Sequence, residues 1–197
     1  VSVGVFRKDM KDFIAQQRTR VGSGPDNGFG GLYADYDLVT QQNVSTAKIS
    51  GFEANYSQEL TFLPGVLRGL SLMGTFTYLD TNGTFADGNS RLPGFKPIVV
   101  NAGFTYKLRG FLARVFYNYA TGCLAGQNAD PTLRTYGTED KTVDLNVQYR
   151  VGPRLSFFAD VNNVFNYSPG TYIIRKDYVL TDEYNGPRLN VGISGRF

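Results

Sequence analysis

Few residues in this chain are equipped for covalent or metal chemistry. There is no histidine and one cysteine, Cys123, in the stretch ATGCLAGQNAD. A thiol nucleophile wants a histidine beside it as base, so Cys123 reads as an unpaired loop thiol. Two carboxylate pairs stand out, Asp35 with Asp37 in YADYDLV and Asp182 with Glu183 in LTDEYNGP. Either could meet a hard cation, but neither carries a full ligand spacing, and solvated loop charge is the simpler reading. GSGPDNGFGG, Gly22 to Gly31, has the glycines of a phosphate loop without its Lys-Ser/Thr, and no helical pattern follows. It reads as a flexible outer-loop segment. Asn43 and Asn82 match glycosylation sequons by pattern only. Neither enzymatic activity, a cofactor nor a metal site is expected.

The polar residues that remain are regularly spaced, and the spacing points to the elements that carry them. Eight segments alternate with a period of two, the signature of strands with one apolar and one polar face. They begin with Val1, Val3 and Val5, then run from about Lys48 to Leu60, Leu70 to Tyr78, Ile98 to Lys107, Phe111 to Tyr119, Thr142 to Arg150, Leu155 to Asn162 and Arg188 to Phe197. Most are roughly 9 to 12 residues long, against about 5 to 6 for a common strand and 9 to 11 for one that crosses a bilayer on a tilt. Connections alternate between tight turns (KLRG, VGP) and long loops, a pattern of outer-membrane barrels.

Composition agrees. With 13 Tyr, 15 Phe, 23 Gly and no Trp, the chain is rich in strand and turn formers. Its net charge of +3 is diffuse, with no basic stripe interleaved with aromatics, so no nucleic-acid partner is expected. No run approaches the roughly 20 apolar residues of a membrane helix, which leaves barrel strands as the way to span. Tyr106, Phe111, Tyr149 and Phe197 fall near the short-turn end and Tyr78, Tyr117 and Tyr119 near the long-loop end, as interfacial girdles would. The expected fold is an all-β antiparallel transmembrane β-barrel, apolar face to lipid. Eight strands could close alone or form one arc of a larger barrel. The polar face supplies the lumen-facing candidates: Glu53, Asn55, Arg114, Asn118, Asp144, Asn146, Arg150, Asp160, Asn162, Asn190 and Arg196.

Five stretches in order resemble the carboxyl-terminal part of a TonB-dependent outer-membrane receptor. They are VGVFRKDMKDFI; ISGFEANYSQEL with LPGVLRGLSLMGTFTYLDT; RLPGFKPIVVNAGFTYKLRGFLARVFYNYATG; DVNNVFN; and the last strand ending on Phe197. Asn166 departs from the aspartate often found at the end of the DVNNVFN-like motif. The resemblance implies that residues 1–197 are the last eight strands of a 22-stranded barrel, a fragment lacking its amino-terminal plug domain. It implies a bacterial outer-membrane receptor that takes up a scarce ligand of siderophore, saccharide or cobalamin class, energised by TonB. Expected partners are outer-membrane lipid and lipopolysaccharide, the plug, TonB and the barrel-assembly machinery. Leu189, Val191, Ile193 and Phe197 would form the assembly signal. The alternative is a complete eight-stranded barrel with a structural or adhesive role.

Overall fold

The computed structural model describes residues 1–85, 88–128 and 130–195. Thirteen strands form among them: β1 (Ser2–Arg20), β2 (Asp37–Glu59), β3 (Leu70–Phe85), β4 (Gly88–Ser90), β5 (Ile98–Leu108), β6 (Phe111–Ala120), β7 (Cys123–Gly126), β8 (Thr135–Gly137), β9 (Asp140–Arg150), β10 (Leu155–Asn162), β11 (Gly170–Ile173), β12 (Val179–Asp182) and β13 (Arg188–Gly195). Eight of them pair as an antiparallel meander in the order β1-β2-β3-β5-β6-β9-β10-β13, with β4 folded onto β3. The four short strands β12-β11-β8-β7 form a second sheet from the long loops. No helix among the described residues is long and apolar enough to cross a membrane.

Register makes the alternation of each strand additive across the sheet. Leu72, Phe104, Val115, Leu145, Val161 and Leu189 pair in succession across six strands. A parallel row joins Leu70, Tyr106, Ala113, Val147, Ala159 and Val191. Because partners across an antiparallel ladder share a face, these rows merge into one apolar band. Phe104 and Val115 keep 40% and 39% of their surface exposed even with strands on both sides. An open apolar band of this extent is a lipid-facing surface rather than one packed against a protein core. Toward the long loops the band stops at the row Val5–Phe52–Tyr78, beyond which Arg7, Ser50 and Asp80 pair on the same face. That step from aromatic to charged marks the outer edge of the band.

Both ends of the meander are open edges: β1 pairs only with β2 and β13 only with β10. The exposure of Val3 and Leu189, 70% and 69%, shows the lateral contact that central positions have and these lack.

Two expectations from the sequence need revision. The first hairpin is much longer than its clean alternation: β1 and β2 stay paired out to Arg20 and Asp37. The long loops are also not structureless, since they hold the second sheet. A small apolar cluster of Ala47, Phe85 and Leu92, flanked by Met10, Phe13, Ile49 and Phe95, occupies the mainly polar face at the outer end of β1–β3. Residues 91–97 fold back over it, held where the Leu92 amide donates to the buried Thr81 Oγ1 at 3.2 Å and the Leu79 amide to the Pro97 carbonyl at 2.8 Å. Glycines on this face make room for aromatic rings. A Cβ on Gly103 would stand 2.8 Å from the Phe116 ring, and one on Gly192 2.5 Å from the Phe158 ring.

Candidate functional site

The polar face is built in hydrogen-bonded rows. Ser2, Asn55, Thr75, Asn101, Asn118 and Thr142 follow each other across six strands. Within that row Asn55 donates to Ser2 Oγ at 3.3 Å, Asn101 to Thr75 Oγ1 at 2.9 Å and Asn118 to Thr142 Oγ1 at 3.2 Å. A second row runs Thr105, Arg114, Asn146, Asp160 and Asn190, with the Asn146 amide donating to the Asp160 carboxylate. Register places Glu53 with Thr77, Asp144 with Phe116, Arg150 with Ser156 and Asn162 with Arg188 on this same face. Short amides and hydroxyls suit such rows because neighbouring strands bring their ends within bonding reach. Arg196 and Phe197 lie outside the described residues. Leu189, Val191 and Ile193 sit on the apolar face of β13, paired with Val161, Ala159 and Phe157.

One polar residue ties this wall to a loop. Asn163 has a left-handed backbone, φ 54°, directly after β10. Its backbone amide donates to Asp144 Oδ1 at 2.9 Å, and Asp144 Oδ2 accepts from Asn118 at 3.2 Å. The Asn163 side chain donates to the Tyr167 carbonyl at 2.9 Å and the Gly186 carbonyl at 3.5 Å, and accepts from the Tyr167 amide at 2.8 Å. It therefore clasps both ends of the loop 163–187. The Tyr167 hydroxyl donates to the Glu139 carbonyl, reaching the neighbouring loop.

Above the wall the loops join into a canopy. The β7–β8 hairpin from the β6–β9 connection pairs with the β11–β12 hairpin from the β10–β13 connection, through Thr135–Gly137 and Thr171–Ile173. The Gly94 amide donates to the Leu124 carbonyl at 2.8 Å, adding the loop after β4. Where the three loops meet they leave a cleft of about 400 Å³ lined by Arg91, Cys123, Arg134, Tyr136, Glu139, Tyr172 and Lys176 among others. Tyr136 and Tyr172 stack with ring centroids 5.7 Å apart and planes at 21°. Three basic side chains and one carboxylate line it, and Glu139 is also ion-paired to Lys141 at 3.2 Å. A concave site with aromatic walls and a positive surplus favours anionic ligands with flat, apolar faces. No alternation announces these residues. They come from three loops far apart in sequence, and nothing in the composition of those loops sets them apart beyond the four tyrosines between Asn166 and Pro187.

The other candidates fall elsewhere. Asp35 has φ 66°, Asp37 lies 3.9 Å from Arg18, and Glu183 uses its backbone amide on the Pro169 carbonyl. Among the described residues no three His, Cys, Asp or Glu side chains converge as metal ligands would. In the glycine-rich segment the amides of Phe29 and Gly31 are taken by Asn27 Oδ1, at 2.8 and 3.0 Å, rather than turned toward a phosphate. Cys123 is half-buried at the cleft.

Residues 1–164 match the family model described as TonB dependent receptor-like, beta-barrel. Solved structures agree on the fold. A copper transporter, OprC, superposes with a TM-score of 0.65 at 17% identity, over 99% of this chain and 28% of its own. The ferric-catecholate import receptor Fiu from Escherichia coli K12 gives 0.62 at 16% identity, over 98% and 24%. A G324V mutant of the ferric enterobactin receptor PfeA from Pseudomonas aeruginosa gives 0.61 at 15%, over 99% and 28%. This chain thus spans about a quarter of the length of those proteins. No curated protein sequence matches it. With the family model covering most of the chain and the meander, apolar band and looped end all in place, the chain belongs to the TonB-dependent receptor-like β-barrels of the Gram-negative outer membrane.

Proposed function

We propose that these residues form the last eight transmembrane strands of a 22-stranded barrel that takes up a scarce ligand from outside the cell. In this reading the open edges of β1 and β13 meet the remaining strands, and the hydrogen-bonded polar rows face a plug domain that TonB moves. The canopy cleft is the capture site, and its ligand is anionic, of the siderophore class among the siderophore, saccharide and cobalamin classes. The observation that carries the proposal is the joining of three outer loops around Arg91, Arg134, Lys176 and the Tyr136–Tyr172 stack. Family membership supports the transport role, and two of the structural neighbours are receptors for ferric catecholates and enterobactin by name.

Binding by the receptor that contains this chain tests it. A ferric catecholate, a ferric hydroxamate, maltoheptaose and cyanocobalamin would be titrated against the wild type and an R91E/K176E variant, following tyrosine fluorescence. The expected result is tightest binding of the anionic chelate, weakened about tenfold or more in the variant through lost charge-assisted contacts. Equal affinity of wild type and variant for every ligand would remove the cleft from the mechanism.

A further inference from the structure

The tip of the first hairpin carries a surface that the capture site does not use. Residues 21–36 close on themselves, with the Val21 amide donating to the Tyr36 carbonyl at 2.8 Å and the Asp35 amide to the Val21 carbonyl at 2.9 Å. Asn27 organises the interior of this loop. Its Nδ2 donates to the carbonyls of Gly22 and Leu32 at 2.9 and 2.8 Å, while its Oδ1 accepts from the Phe29 and Gly31 amides. All four bonding capacities of that side chain are used inside the loop. Gly28, Gly30 and Gly31 adopt positive φ, as do Tyr33 and Asp35, so the path runs through five left-handed positions within eight residues. This is a preorganised loop, not a slack one.

Its outer surface is aromatic. Phe29 meets Tyr33 edge-on with centroids 5.7 Å apart, and Tyr33 meets Tyr36 at 6.0 Å. Tyr33 and Tyr36 are 57% and 67% exposed, and Leu32 beside them is exposed as well. The surface is also acidic: residues 21–36 contain Asp26 and Asp35 and neither lysine nor arginine, in a chain that is net positive, while Asp37 at the base of the loop is held by Arg18. Position adds to this. From the Arg7–Ser50 row at the edge of the apolar band, β1 and β2 remain paired to Arg20–Asp37. Thirteen further residues at about 3.3 Å each carry the tip roughly 40 Å along the strands, or some 30 Å outward once tilted.

We infer that this tip is a docking site for a cationic polypeptide presented at the cell surface. Rigid tyrosines and phenylalanine give large contact area at little entropic cost, as in antibody loops. Their faces attract ammonium and guanidinium groups, and the aspartates add charge of the same preference. Anionic partners, phosphorylated glycans included, meet repulsion here. A neutral glycan leaves the carboxylates without a counter-charge.

The test uses the receptor containing this chain, in phosphatidylcholine nanodiscs, with labelled nona-arginine as the probe and nona-glutamate and maltoheptaose as comparators. Binding is read by fluorescence anisotropy for the wild type, D26N/D35N and F29A/Y36A. Asparagine tolerates the left-handed conformation at position 35, and Phe29 and Tyr36 lie outside the left-handed positions, so all variants keep the loop path. Nona-arginine is expected to bind the wild type alone among the three probes, more weakly as NaCl rises from about 50 to about 500 mM. Each double variant loses about tenfold, the sum of two exposed cation–aromatic contacts or two charge contacts. Equal nona-arginine binding by all three proteins overturns the inference. So does absence of binding to the wild type, or maltoheptaose binding that F29A/Y36A abolishes.

Discussion

Placing arginine at position 115 puts a number on the lipid-facing assignment. Val115 is the third of five outward residues on β6, between Phe111 and Ala113 on one side and Tyr117 and Tyr119 on the other. It lies four steps from each flanking end, about 13 Å along the strand and roughly 10 Å along the membrane normal after tilt, so it sits near the midplane of a band about 25 Å tall. Its cross-strand partners, Phe104 and Leu145, offer a guanidinium nothing to bond. Arginine at the midplane of such a band costs about 2–4 kcal/mol, and near the interface about 0–1 kcal/mol. Val115→Arg should then shift the folding equilibrium by about 30- to 700-fold, while Tyr119→Arg should shift it by less than about tenfold. Gln148→Arg is the internal comparison, because Gln148 pairs with Leu112 and Phe158 on the opposite face. Urea titration of the receptor refolded into phosphatidylcholine vesicles gives all three values. If Val115→Arg is no more costly than Gln148→Arg, the two faces are not in different solvents and the membrane reading of the band fails.

Asn163→Ala removes three side-chain hydrogen bonds and puts alanine at φ 54°, so it should loosen residues 163–187 by about 1–3 kcal/mol. Hydrogen exchange would show faster amide exchange at Tyr167 with β9 unchanged, and equal exchange there would deny Asn163 its clasping role. Gly103→Val drives a side chain into Phe116 and Met73 and should destabilise by about 1–3 kcal/mol, with Phe116→Leu in the same protein recovering part of the loss. Urea midpoints of the single and double variants measure it, and additive losses would contradict the packing argument. Asp130 accepts from the Thr132 hydroxyl at 2.6 Å and the Thr132 amide at 2.8 Å, which hold its carboxyl below the ordinary value of 3.8, the hydroxyl most. Its cap on Pro131–Leu133 is thus fully formed above about pH 3.8 and is lost as the pH falls through the lowered value. Thr132→Val should move the Asp130 titration upward, as carboxyl NMR would record, and an unchanged midpoint would mean the hydroxyl contributes nothing.

The strands of the wall were legible because alternation survives where each face meets one kind of solvent. Val143, Leu145, Val147 and Tyr149 alternate without interruption, and β9 starts only three residues before that pattern does. Legibility failed where a strand leaves the band. Beyond Arg7 and Ser50 both faces of the first hairpin are polar or mixed, so nothing in residue type separates strand from loop, although the ladder continues. It failed again at Leu92 and Phe95, apolar loop residues that cover Ala47 and Phe85 on a face expected to be polar. The canopy cleft was the least visible part. Its sheet depends on pairing between hairpins separated by the whole of β9 and β10, a long-range event with no local pattern. The polar rows were visible as residue types, but which side chains bond, such as Asn118 with Asp144, depends on register to a single residue.

The shared sheet of β8 and β11 also bears on how such a receptor could change its ligand over time. Two loops that exchange backbone hydrogen bonds cannot be swapped one at a time. A replacement for residues 121–139 must still present an edge that fits Thr171–Ile173, and a replacement for 163–187 must meet Thr135–Gly137. Recombination that moves both hairpins with the intervening β9 and β10 keeps the joint intact. The unit that can be inherited or grafted with this joint intact is therefore the pair of loops together with the two strands between them, while the loop after β4 adds Arg91 to the cleft from outside that unit.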